Sequence, residues 1–189
     1  NSDEYDDFPE GEHYLQLSQT EKDMVDMVCD NFDDVIVIYN GANQFELGFT
    51  DEYPQIKSVV WCPGTGNVGF NALGKVFSGE VNPSGKTPDT FIYDMTTAPW
   101  WNNGEKIEYT NLADMAVEGM NAGSPQVYAP AFTNYVEGIY VGYKYYETAA
   151  QEGFIDYDKT VQYPFGYGLS YTEFEQKMGE LEEKDGQIS

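Results

Sequence analysis

The sequence predicts an α/β fold, a three-layer α/β/α sandwich around a mostly parallel sheet. Val35-Ile36-Val37-Ile38-Tyr39 and the run from Lys57 to Cys62 are dominated by β-branched and aromatic residues. Their lack of alternation is the pattern of strands apolar on both faces, as in a parallel sheet. Each is followed by a glycine-containing turn and then by helical spacing of apolar residues, so strand, loop and helix repeat in order. A length of 189 residues with 41% hydrophobic content is enough for one domain with a core.

Taken in order, residues 1–17 are acidic and irregular, interrupted by Pro9 and Gly11. Ser18-Gln19-Thr20-Glu21 is a capping box, in which the serine bonds the amide of residue 21 and the glutamate reaches back. It opens a helix over Gln19–Asn31 with Met24, Val25, Val28, Cys29 and Phe32 on one face. The first strand ends at the Asn40-Gly41-Ala42-Asn43 turn, and a short helix is expected over 45–53, closed by Pro54. The second strand runs into the tight loop Pro63-Gly64-Thr65-Gly66-Asn67. A helix follows over 68–78, with Phe70, Leu73, Val76 and Phe77 on its apolar face. Asn82 to Pro88 reads as a rigid loop before the extended segment Thr90–Tyr93. Residues 96–136 form a long irregular region that holds Trp100, Trp101 and Tyr128, with one short helix at 112–120. The aromatic alternation of Ile139–Tyr146 reads as extended. The sandwich domain thus covers 18–176, and 177–189 is a charged linker.

Composition narrows the function. The 33 acidic against 9 basic residues give a net charge of −24. Such a field repels phosphate backbones and anionic lipid, which argues against nucleic-acid and membrane partners and suits a neutral ligand. Aromatic residues make up 16% of the chain, a supply of flat apolar faces for packing or for sugar rings. One histidine and the distant Cys29 and Cys62 make neither a zinc site nor a disulfide scaffold, so two buried free thiols are expected, with a single Cys29–Cys62 bridge as the alternative, and no metal or cofactor. Nothing in the residues chooses between a cytoplasmic and a secreted setting for a soluble protein. The loop Gly64-Thr65-Gly66-Asn67-Val68-Gly69 lacks a phosphate-binding lysine and an acidic ribose partner, so nucleotide binding is not expected.

Five segments in fixed order carry a resemblance. They are Val37-Ile38-Tyr39-Asn40-Gly41 with the loop to Leu47, and Trp61-Cys62-Pro63-Gly64-Thr65-Gly66-Asn67-Val68-Gly69. Val81-Asn82-Pro83-Ser84-Gly85-Lys86-Thr87-Pro88 and Glu137-Gly138-Ile139-Tyr140-Val141-Gly142-Tyr143-Lys144 follow. Tyr163-Pro164-Phe165-Gly166-Tyr167-Gly168-Leu169-Ser170-Tyr171 closes the series. Together they resemble the sandwich domain of glycoside hydrolase family 3, the β-glucosidases and β-xylosidases, over residues 32–174. The resemblance implies a retaining exo-β-glycosidase whose substrate is a β-linked oligosaccharide or aryl glycoside. It implies that the nucleophilic aspartate sits on a separate barrel domain. It further implies that the sheet here is incomplete at its N-terminal side, and that 177–189 leads toward a fibronectin type III-like module.

Ser2-Asp3-Glu4-Tyr5-Asp6-Asp7 is similar to the family's Ser-Gly-Glu-Gly-x-Asp loop, which makes Glu4 the candidate general acid/base. Asp3 and Tyr5 stand where the family has glycines. A general acid at neutral pH needs a raised pKa, and the neighbouring Asp3, Asp6 and Asp7 push that way by like-charge repulsion. Glu10 and Glu12 are weaker candidates, and an exposed acidic segment without chemistry is the competing reading. His13 is expected to make a loop or surface contact rather than serve as a base. Trp100, Trp101 and Tyr128 are candidate substrate-binding residues on the leaving-group side, set against a purely anchoring role. The alternative function is a carbohydrate-binding or scaffold module that lacks catalysis. A flavodoxin-like ligand-binding domain fits the α/β pattern but not the ordered motifs.

Overall fold

A computed structural model describes residues 12–101, 111–128 and 136–175, together with 177, 179–180, 183–184 and 187–188. Glu4, Glu10 and the rest of 1–11 lie outside the described residues. In chain order the elements are α1 (Gln19–Asn31), β1 (Val35–Tyr39), β2 (Ile56–Trp61), α2 (Phe70–Phe77) and β3 (Phe91–Ile92). Then come α3 (Leu112–Met115), β4 (Val117–Asn121), β5 (Ser124–Tyr128), α4 (Tyr143–Gln151), α5 (Tyr157–Thr160), β6 (Val161–Tyr163), β7 (Glu183–Lys184) and β8 (Gln187–Ile188). Short 3-10 turns stand at Gly48–Asp51, Met95–Thr97 and Gly138–Tyr140. The chain divides into two units, 1–65 with 87–167 and 66–86 with 168–189.

In the first unit α1 begins where the capping box places it. The Ser18 hydroxyl accepts from the Glu21 amide, and Glu21 Oε2 accepts from the Ser18 amide at 2.9 Å. β1 and β2 pair in parallel, with Val37 beside Val59 and Ile38 beside Val60. The α/β class therefore stands, and its parallel pairing is at the two strands the β-branched runs marked. The other pairs among the described residues, β3 with β6, β4 with β5 and β7 with β8, are antiparallel. β1 is covered on one face only. Ile36 and Ile38 stay 49% and 43% exposed and, with Met24, Val28 and Leu47, line a cleft of about 540 Å³ beside α1.

β3 organises the core. Adjacent residues of a strand point to opposite faces, so Phe91 and Ile92 enter different clusters. Ile92 packs with Leu15, Met95, Ala98, Tyr146 and Val161, and Trp100 and Trp101 lie against this group. Phe91 packs with Phe45 and Leu47, flanked by Tyr39, Val59, Trp61 and Tyr163. Trp61 and Phe91 meet edge to face at 5.1 Å, and the Trp61 indole donates to the Gly41 carbonyl at 2.8 Å.

Three local expectations change. Residues 139–146 are not extended, because the Gly138–Tyr140 turn and α4 occupy them. Tyr146 and Ala149, three apart, are the residues α4 buries, so the aromatic run follows helical rather than strand period. The helix expected over 112–120 stops at Met115, and β4 and β5 form a hairpin instead. Its two-residue turn holds Ala122 and Gly123 at φ 48° and 86°, the left-handed pair that tight hairpins require. The helix expected over 45–53 is the single 3-10 turn Gly48–Asp51.

The closing aromatic motif packs against the Asn-Pro-Ser-Gly-Lys loop. In the first unit the Thr87 amide donates to the Tyr167 carbonyl at 2.7 Å and the Gly166 amide to the Thr87 carbonyl at 2.8 Å. In the second unit Asn82 Oδ1 accepts from the Tyr171 amide and the Ser170 hydroxyl, and Lys86 donates to the Gly168 carbonyl. A side chain at Gly168 would strike the Gly85 carbonyl, so this glycine is needed for close approach.

Candidate functional site

The best-defined polar cluster in the first unit is built around His13, the first residues after the acidic segment and the loop after β1. The Glu46 amide donates to the Leu15 carbonyl at 2.7 Å, which lays residues 13–15 along that loop. His13 Nδ1 accepts from the Leu15 amide at 3.3 Å, so the ring proton sits on Nε2, which faces Glu46 Oε1 at 3.2 Å. The same Glu46 oxygen accepts from the Met95 amide at 2.7 Å. Burial pushes the Glu46 carboxyl up. The Met95 amide and His13 oppose that push, and Asp94 adds to it. The two side chains are only 11% and 15% exposed, so His13 makes the loop contact expected of it while lying well inside the surface. A second cleft of about 430 Å³ reaches Glu46 of this pair and is lined also by Gln16, Lys22, Phe49, Asp51 and Tyr93.

Trp101 closes the cluster, its ring edge-on to His13 with centroids 4.8 Å apart. Trp100 and Trp101 lie 6.2 Å apart at 49°, both half-buried against the core around Ile92. The structure therefore brings these two together with His13 and Glu46. Tyr128 stands elsewhere, on the hairpin, where its ring covers Gly119 and its hydroxyl donates to the Met120 carbonyl at 3.2 Å. Glu4 falls outside the described residues.

Two groups escaped the sequence. Glu46 sits between Phe45 and Leu47, and a lone acid flanked by buried apolar residues is the signal that could have flagged it. Glu137 is 8% exposed and its Oε2 has no hydrogen-bond partner, as is also true of the Tyr146 hydroxyl. Burial, then Asp89, Tyr145 and Glu137, push the Tyr146 phenol well above its ordinary range. Cys29 and Cys62 are both free thiols, the first buried and the second half-buried. Among the described residues no three His, Cys, Asp or Glu side chains are placed to hold a metal ion. No helix among them is long and apolar enough to cross a membrane.

Residues 1–143 match the sequence model of the glycosyl hydrolase family 3 C-terminal domain. The chain is 35% identical over 161 residues to a β-glucosidase of Ruminococcus albus, covering 84% of this chain and 14% of that protein. It is 36% identical over 169 residues to β-glucosidase A of Butyrivibrio fibrisolvens, covering 88% of this chain and 17% of that protein. Among solved structures, a β-glucosidase from Paenibacillus barengoltzii superposes with a TM-score of 0.65 at 28% identity, covering 92% of this chain and 16% of that one. The chain thus spans less than a fifth of the length of each of these three proteins.

Proposed function

The chain belongs to glycosyl hydrolase family 3, through that family's C-terminal domain, and on this premise we propose that it is one part of a retaining exo-β-glycosidase acting on β-glucosides or β-xylosides. Glu4 is the general acid/base, and the aspartate nucleophile belongs to a barrel domain outside residues 1–189. The observation that carries this reading is the extent of the domain match, which starts at residue 1 and so includes the Ser2–Asp7 segment.

Retaining hydrolysis needs two carboxyl groups about 5–5.5 Å apart, one attacking the sugar carbon while the other protonates the departing oxygen. Glu4 in its acid form gives that proton. As carboxylate it then takes one from the water that releases the sugar. The clamp of His13 on Glu46 supports this role, because it fixes where the acidic segment leaves the α/β unit. His13 is nine positions after Glu4, a tether of roughly 30 Å at most when fully extended. The chain also acts as a lid that excludes water from the barrel's site.

Because the nucleophile lies elsewhere, the 189-residue chain alone is expected to show no turnover of a nitrophenyl β-glucoside or β-xyloside above background. Turnover without a second domain would refute this division of labour. Trp100, Trp101 and Tyr128 shape the leaving-group side of the pocket. Replacing Trp100 and Trp101 together by alanine in the complete enzyme should raise KM for aryl glycosides about tenfold, the loss of roughly one aromatic contact. An unchanged KM assigns both rings to anchoring alone.

A further inference from the structure

We propose that the cleft reaching Glu46 is a sugar-binding site, which takes one ring of a neutral β-linked oligosaccharide. This rests on the reading of the chain as one part of a glycosidase.

The cleft is built on the crossover from β1 to β2. Lys22 reaches it from the first turn of α1, Phe49 and Asp51 from the Gly48–Asp51 turn, Glu52 from just beyond, and Tyr93 from the residue after β3. Glu46 lies in its wall with a side chain 15% exposed. The volume of about 430 Å³ falls in the range of small-molecule sites, about 300–1,000 Å³. His13 alone stands between Glu46 and Trp101, so the cleft lies close to an indole assigned above to the leaving-group side.

The walls are fixed in advance. Gly48 lets Tyr93 close on the turn, because a side chain there would put its Cβ 2.8 Å from the Tyr93 ring. The Tyr93 hydroxyl donates to Asp51 Oδ2 at 2.9 Å. The Gln162 amide donates to the same oxygen at 3.2 Å and to the Leu47 carbonyl at 3.1 Å. Thr50 is buried, and its hydroxyl donates to the Leu47 carbonyl at 2.8 Å. The Met95 amide and His13 hold the Glu46 carboxylate. Polar groups already held in place bind a ligand without the cost of ordering them.

The side chains select the class of ligand. Glu46, Asp51 and Glu52 accept hydrogen bonds, and Lys22 donates them. A sugar hydroxyl both donates and accepts, so it can use carboxylate and ammonium in one cleft. A cation would be opposed by Lys22, and the three acids do not converge as a metal site. An anion would meet those acids and a net charge of −24. Phe49 and Tyr93 are half-buried and supply ring faces against which the apolar side of a pyranose packs.

The complete enzyme tests this with a sulfur-linked β-glucose disaccharide and its xylose counterpart, which glycosidases do not cleave. The enzyme is first labelled with the matching 2-deoxy-2-fluoro glycosyl fluoride, so that the position of the cleaved sugar is filled. Calorimetric titration should still show saturable binding of one of the two disaccharides. Asp51→Ala should weaken it by about tenfold or more, the loss of a charged hydrogen bond. No binding, or a smaller loss, overturns the proposal. Should Asp51→Ala fail to fold, Lys22→Ala, an exposed change on α1, carries the same test at the same threshold. A crystal soaked with the bound disaccharide should show a sugar hydroxyl within hydrogen-bond distance of the Asp51 carboxylate. A cleft filled by protein, by a metal ion or by water alone overturns the site. A ring seen there without binding in solution is binding at crystal concentration only, which overturns it too. Labelling reports separately on the glycosidase reading. An enzyme that turns over no aryl β-glycoside is not labelled, and titration of the unlabelled enzyme then tests the cleft alone.

Discussion

Glu4→Gln in the complete enzyme is expected to lower kcat/KM for a poor leaving group, such as an alkyl β-glucoside, by about 10²–10⁴-fold. With a dinitrophenyl leaving group the loss should shrink to a few-fold in the first step, because that oxygen departs without a proton. The second step still lacks its base, so the glycosyl-enzyme should accumulate and kcat should fall. Azide needs no base to attack that intermediate. Added azide should therefore restore turnover of the activated substrate and yield the β-glycosyl azide. The measurement is a leaving-group series with and without azide, followed by product analysis. Equal losses across the series without azide rescue would assign Glu4 to the acidic surface and favour the scaffold reading. The same series applied to Glu10→Gln and Glu12→Gln separates these neighbours, since only the true acid/base yields both signatures.

What the sequence reveals depends on how local the cause is. The capping box and the β1 run are decided by neighbours in the chain, and both form where their residues predict. The Asn82–Pro88 loop and the closing aromatic motif were legible as structural because their glycines and prolines restrict the backbone, and the two do bond to each other. Other features depend on distant contacts. Val161-Gln162-Tyr163 is too short to announce itself, and it is a strand because Phe91 and Ile92 pair with it. The hairpin turn uses Ala122 rather than the usual Asn or Gly at a left-handed position, so no turn signal marked it. α4 was hidden by a chance alternation of aromatics that only tertiary packing resolves. The candidate site divides the same way. Trp100 and Trp101 were visible as a rare pair, whereas Glu46 acquires its meaning only when folding brings it to His13, 33 positions away.

Phe91→Ala is expected to destabilise the chain by about 3–5 kcal/mol, the usual loss when a large buried aromatic is truncated. Phe91 is 1% exposed and joins Phe45 and Leu47 to the rings of Trp61 and Tyr163, at 5.1 and 6.4 Å. No neighbour can fill the space cheaply, because Trp61 is held by its bond to the Gly41 carbonyl. A shift of the urea midpoint at unchanged m-value measures the loss, and a loss below about 1 kcal/mol would mean that this cluster collapses around the cavity. The neighbouring Ile92→Val removes one methylene from the opposite face of the same strand and should lower stability by only about 0.5–1.5 kcal/mol. Ile92 faces the cluster on which Trp100 and Trp101 rest, and Phe91 faces away from it. In the complete enzyme the milder substitution should therefore disturb KM for aryl glycosides more than the severe one, measured where both variants remain folded. That inversion would tie Trp100 and Trp101 to substrate through the packing beneath them, because loss of stability alone predicts the reverse order.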